Sequence, residues 1–164
     1  MTGRDKSIKT QQGFSLVELI IVIGLIGILG AVAISSFRGY RDNSNLRTAA
    51  RDIATDIAAT RGRAMSERVQ YRIQFTTTNN TYGIWQCDDA GNNCVLLQTK
   101  TPTVFGTASG LTLANPNFGG GTIISFFTRG TLSQGSVQVV NGRNSTATVT
   151  VNPTGRTYVQ FAIQ

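Results

Sequence analysis

The sequence predicts an α+β fold, in which a long N-terminal α-helix packs on a C-terminal antiparallel β-sheet domain. Three observations predict it. A single uncharged apolar run stands near the start, and a one-sided apolar helical stripe follows it. The remainder alternates apolar and polar residues between clusters of Gly, Asn, Pro and Ser. A length of 164 residues suits one domain with a small appendage. The chain has no histidine, which removes Ser-His-Asp and Cys-His nucleophilic chemistry and every His-containing metal site. Its 2 cysteines are too few for a structural zinc site, which takes about four Cys or His ligands. The expectation is therefore a non-enzyme with no catalytic residue, no metal and no cofactor.

Residues 1–13 are polar and carry Arg4, Lys6 and Lys9 against Asp5. From Leu19 to Ile34 there is neither a charged nor a polar side chain. At about 1.5 Å rise per residue, this run plus Phe14 to Glu18 approaches the ~30 Å of a bilayer core. The basic leader predicts a cytoplasmic N-terminus and an exported C-terminal mass. A secretory signal peptide, cleaved at Ala31-Val32-Ala33, and a plain membrane anchor are the competing readings. Glu18 stands against both, because a carboxylate in an apolar membrane helix is costly and neither role needs it.

The run Gln12-Gly13-Phe14-Ser15-Leu16-Val17-Glu18-Leu19-Ile20 resembles the class III leader and N-terminal helix of type IV pilins and type II secretion pseudopilins. The resemblance implies cleavage between Gly13 and Phe14 by a prepilin peptidase and N-methylation of Phe14. It also implies that Glu18 sets assembly register by pairing with the terminal amine of a neighbouring subunit, which relieves two charges that are costly in lipid. The expected divisions are a leader at 1–13, a transmembrane and filament-core helix at 14–37, and a periplasmic or extracellular globular domain at 38–164. The expected location is the bacterial inner membrane, crossed once, and then a pilus or pseudopilus. Gly24, Gly27 and Gly30 recur at three-residue spacing, which suits close helix approach, although glycine is also simply common in membrane helices. Many pilins carry proline where this chain has Ser35, so helix continuity near Ser35 stays open.

Next comes a polar, arginine-rich stretch. Leu46, Ala50, Ile53, Ile57 and Ala64 fall on one helical face, and Arg47, Arg51, Asp52, Asp56 and Arg63 fall opposite. An amphipathic helix is expected over about 44–67, with a solvated charged face.

β-Sheets are expected over about 69–163. Val69–Phe75 alternates cleanly. Tyr82–Cys87 and Cys94–Thr99 follow, and then Ile123–Phe127, Val137–Val140, Thr146–Val151 and Thr157–Ile163. Asn115 to Gly121 reads as the loosest loop. The runs Ile124–Thr131, Gly135–Val139 and Val149–Arg156 resemble the GspH/FimT minor pilin family. That resemblance implies a two-sheet domain beside the helix and a low-abundance subunit that primes or caps a filament. Its implied partners are other pilin or pseudopilin subunits.

An exported domain meets an oxidising compartment, so Cys87 and Cys94, which flank a turn between strands, are expected to form a disulfide. The acidic turn between them does not match a calcium-loop spacing. The net charge is +7, and removal of residues 1–13 leaves +5 carried almost entirely by arginine. Arginine recognises phosphate bidentately. Some FimT-type proteins bind DNA during natural transformation through a Gly-Arg-x-Arg motif. Here the matching run is Gly155-Arg156-Thr157-Tyr158, which lacks the second arginine. Arg129, Arg143 and Arg156 are the candidate DNA contacts, each beside Gly or Asn in turn-like sequence. The alternative is that they keep exposed strand ends soluble.

Overall fold

The computed structural model describes residues 15–88, 90–102 and 110–164, with the side chains of 31–38 excepted. Residues 1–13, the expected leader, and Phe14 lie outside the described residues. Two compact units are present, Met1–Arg38 and Gly39–Gln164.

Helix α1 (Leu16–Glu67) begins in the first unit. Its backbone stays helical through Ser35, so the missing family proline leaves no break there. Residues 15–30 are exposed all round, with Leu16 at 74% and Leu29 at 69%. Among the described residues, no helix is long and apolar enough to cross a membrane.

The second unit holds every buried residue of the described chain, from Leu46 to Val151. The stripe read from the sequence is the buried face of α1: Leu46, Ala50, Ile53, Ile57 and Ala64 are at most 1% exposed, and Ala49 joins them. Eight described strands form two four-stranded antiparallel sheets. Strands β1 (Tyr71–Thr76), β2 (Thr81–Cys87), β3 (Cys94–Lys100) and β5 (Ile123–Phe126) make one, in the order β3-β2-β1-β5. The other contains β4 (Thr112–Phe118), β6 (Gly135–Val140), β7 (Thr146–Val151) and β8 (Thr157–Ala162), in the order β4-β6-β7-β8. Inward residues alternate as period two demands. Tyr71, Ile73 and Phe75 on β1 and Val137 and Val139 on β6 are buried, and share one core with the helix stripe.

One expectation is corrected here. The segment 115–121 is not a loop throughout, because β4 runs through Asn115, Pro116 and Asn117 to Phe118. Proline and a left-handed Asn115 (φ 48°) are tolerated because β4 is an edge strand whose register with β6 shifts between Ala114 and Asn117. Asn80 joins the two sheets. It occupies the β1–β2 turn with φ 53°, donates its amide to the Leu111 carbonyl at 2.6 Å and accepts from the Leu113 N–H at 2.6 Å. One turn residue thus serves β4 as a short substitute for a neighbouring strand.

Asp56 also departs from expectation, since it is not part of a freely solvated face. The Tyr82 hydroxyl donates to it at 2.7 Å, and Lys100 donates to both its oxygens at 2.6 and 2.8 Å. One carboxylate therefore ties α1 to β2 and β3. Burial, reinforced by the Asp56 hydrogen bond, pushes the Tyr82 phenol well above its ordinary value. Tyr71, buried and donating to Glu67, is pushed up to about 12. Both phenols stay protonated in the fold, whereas the unfolded chain ionises near pH 10. Their contribution is whole below about pH 10 and is lost as the pH rises toward the folded values. Melting temperatures of the 39–164 unit should accordingly fall steeply above pH 10, and Tyr82→Phe should flatten that fall; an unchanged slope would remove Tyr82 from the linkage.

Candidate functional site

Three surfaces carry the residues singled out from the sequence. The first is the start of α1. Glu18 lies in its first turn, exposed, and forms no ion pair among the described residues. Around it, Leu16, Val17, Leu19, Ile20 and Ile21 are all more than half exposed. A helix that is apolar all round cannot remain in water and requires lipid or other helices about it. A Cβ added at Gly24, Gly27 or Gly30 would meet nothing within 4 Å, so no contact among the described residues demands a glycine there.

The second surface is the β2–β3 hairpin tip. Cys87 and Cys94 are direct partners in the β2–β3 register, with Cα atoms 4.0 Å apart, and they form the expected disulfide. Asp88 closes the tip from within. Its carboxylate accepts from the Asn92 N–H at 2.7 Å, the Asn93 N–H at 3.2 Å and the Asn93 amide at 2.8 Å. These donors, the Asn92 N–H foremost, hold its carboxyl below the usual range. The carboxylate is thus occupied by its own turn. Among the described residues, no cluster of three or more metal-ligating side chains exists.

The third surface concerns the three candidate arginines, which the fold separates. Arg143 sits in the β6–β7 turn, and its Nε lies 3.4 Å from Asp42, an ion pair half open to solvent. Arg129 and Arg156 sit at the opposite end of the second sheet. Arg129 occupies the Phe127–Thr131 turn and Arg156 closes the Asn152–Arg156 turn between β7 and β8. The two turns are joined by a hydrogen bond from the Leu132 N–H to the Pro153 carbonyl at 3.3 Å. Both arginines are exposed and lack an ion pair among the described residues.

Arg61 was not distinguished by sequence from the other helix arginines, yet it organises this end. Its Nε donates to the Gly130 carbonyl at 2.7 Å. A Cβ on Gly155 would come within 2.3 Å of the same nitrogen. Gly130 (φ 80°) and Gly155 (φ 83°) also adopt backbone that L side chains rarely take. The signal lay in those two glycines, since each marks a turn against which the helix arginine rests.

Comparison with known proteins accords with this architecture. The family described as type II transport protein GspH matches residues 49–155, and the prokaryotic N-terminal methylation motif matches residues 8–34. The chain belongs to the GspH family of pilin-like structural subunits. Two curated relatives, both fimbrial proteins of Pseudomonas aeruginosa, are each 35% identical over 78 residues, or 42% of this chain and 51% of the relative. The chain thus spans about half the length of these curated relatives. Two structures of the minor pseudopilin EpsH from the type II secretion system of Vibrio cholerae align with a TM-score of 0.57. They share 10% and 12% identity and cover 71% of this chain, and 97% and 93% of their own. At that identity the likeness is one of fold.

The disulfide closes a short loop, so opening it should cost about 2–3 kcal/mol on the chain-entropy account. The Cys87→Ser/Cys94→Ser double variant of the 39–164 unit should lose that much in urea denaturation while keeping its circular dichroism. A change under about 0.5 kcal/mol would make the bond energetically idle.

Proposed function

We propose that this chain is a minor pilin or pseudopilin that enters the inner membrane by its N-terminal helix and is then incorporated into a filament, where it primes or caps assembly. The observation that carries this reading is the all-round exposure of apolar residues 15–30 with a lone carboxylate, Glu18, in the first helical turn. Lipid satisfies such a surface before assembly, and neighbouring helices satisfy it afterwards. Glu18 is the feature that a plain anchor would lack. Its partner is the terminal amine of an adjacent subunit, freed when a prepilin peptidase cuts between Gly13 and Phe14, with Phe14 then methylated. Residues 1–13 are the leader, 14–37 the membrane and filament-core helix, and 38–164 the exported domain. The described part of the first unit, all exposed up to Gly30, and the complete core of the second support that division.

Intact mass and N-terminal sequencing of the mature chain should give a methylated Phe14. A start at Ile34 would replace this reading with a cleaved secretory peptide. Glu18→Ala should still insert in the membrane but be absent from sheared filaments, whereas normal incorporation would remove its role in register.

A second reading, DNA contact by the exported domain, is favoured by one observation. The Arg61 junction brings the Arg129 and Arg156 turns to the same end of the second sheet. Arg143 takes no part, because it lies at the other end beside Asp42. In gel shifts at low salt, Arg129→Ala and Arg156→Ala should each weaken duplex binding across sequences and lower the salt slope by about 1. Arg143→Ala should leave both unchanged. Absence of any shift at low salt would end this reading.

A further inference from the structure

The outer face of the first sheet carries chemistry on which the proposed assembly role does not call. Arg72 on β1 and Trp85 on β2 are register partners on that face. Trp85 is the single tryptophan of the chain and is half-buried. Its indole lies over Gly83, where an added Cβ would come within 2.9 Å of Nε1, and the Leu96 side chain crowds the same space at 3.1 Å. Glycine at 83 therefore lets the indole settle against the sheet. Two clefts open beside it, of about 150 and 250 Å³, and Gln74 and Trp85 line both.

Among the described residues, the polar side chains lining these clefts are uncommitted. Arg72 Nε is buried with no hydrogen-bond partner, a state that ordinarily costs stability and calls for an explanation. Arg72 also joins neither ion pair found among the described residues. The Trp85 indole N–H, the Gln74 amide and the hydroxyls of Thr76, Thr81 and Thr99 have no hydrogen-bond partner among the described residues either. Among the described residues, no carboxylate lines either cleft.

We propose that this face binds an acidic saccharide, with the Trp85 indole stacking on a sugar ring and the Arg72 guanidinium pairing with its carboxylate. The negative face of an indole attracts the polarised C–H groups of a pyranose. Guanidinium matches carboxylate geometry bidentately. The amide and hydroxyls can exchange hydrogen bonds with sugar hydroxyls, each both donor and acceptor. Two clefts on either side of one indole suit adjacent rings of a chain. A nucleic-acid strand fits less well, because its repeating phosphates need a track of cations and these clefts offer one. An added peptide strand needs a free sheet edge, whereas β1 and β2 are each paired on both sides. The proposal is independent of how the filament is primed or capped.

The lone tryptophan supplies the readout. The full chain, in a detergent without a sugar headgroup, would be titrated with oligogalacturonate, with neutral maltohexaose, with a single-stranded oligonucleotide and with polyglutamate. Oligogalacturonate should change the Trp85 fluorescence saturably and bind about tenfold more tightly than the neutral oligosaccharide. Arg72→Gln should erase that preference, Arg72→Lys should restore part of it, and Trp85→Phe should weaken binding measured by calorimetry. Absence of a saturable change, or equal binding of the acidic and neutral sugars, would overturn the proposal. Displacement of galacturonate by the oligonucleotide or polyglutamate at equal charge would also overturn it and mark a general polyanion surface. These competitions use the unaltered chain, so they do not depend on a variant folding.

Discussion

The fold of the 39–164 unit depends on burying one narrow stripe of α1. Leu46, Ala49, Ala50, Ile53, Ile57 and Ala64 present little width, and half of them are alanine. Alanines let the sheets come close, and the larger residues fill what remains. Neither sheet could stand alone, since each has one apolar face. The helix stripe and both inner faces close on a single core containing Phe75, Phe118 and Phe126. Phe75 and Phe118 stack across the junction of the sheets, with ring centroids 5.5 Å apart. A helix so narrow offers few apolar contacts per turn, which explains why polar ties are added along its length. Asn43 bonds Asn141 at 3.0 Å, Arg47 covers the Phe161 ring, Asp56 holds Tyr82 and Lys100, and Arg61 holds Gly130. The half-buried Asp56 carboxylate and Arg61 guanidinium are tolerated there because each meets a donor or acceptor as it leaves water.

Those ties also explain which glycines the domain requires. Gly130 and Gly155 sit in turns of positive φ against Arg61, and their exchange for larger residues would strain both backbone and arginine. Gly135 has a different reason. A Cβ there would fall 2.0 Å from the Asn117 carbonyl oxygen and 2.6 Å from Phe118 Cα, so the close approach of β4 to β6 admits no side chain. The β4 bulge and Gly135 are therefore two halves of one adjustment. The irregular strand moves inward, and the neighbouring strand gives up its side chain to receive it.

Much of this was legible in the sequence because it is periodic. The helix stripe was read correctly at all five positions, and the seven strands expected match observed ones within two residues at either end. The element missed was β4, whose Asn-Pro-Asn core carries turn chemistry that an edge strand with a bulge can absorb. Partners distant in sequence were not legible. Asp56 looks solvated on a helical wheel, and nothing local reveals Tyr82 or Lys100, 26 and 44 residues away. The three arginines beside turns read alike in sequence, yet β7 separates Arg143 from Arg156 by its full length. Conversely, the Cys87–Cys94 bond was legible because two cysteines flanking a hairpin turn are brought together by local geometry.

The glycines of the first unit obey a different logic. In the domain, Gly130, Gly135 and Gly155 each answer to a conformation or a contact within the chain. Gly24, Gly27 and Gly30 have helical backbone and empty space around them. Glycine inside a helix costs about 1 kcal/mol relative to alanine, so three of them are a burden with no return among the described residues. The neighbouring Leu, Ile and Val side chains are likewise exposed, with nothing among the described residues to cover them. Lipid or other helices about this stretch would meet the exposed side chains, and a helix approaching close to the backbone would also make use of the glycines. The domain is folded for itself, whereas the apolar surface of residues 15–30 finds no cover among the described residues.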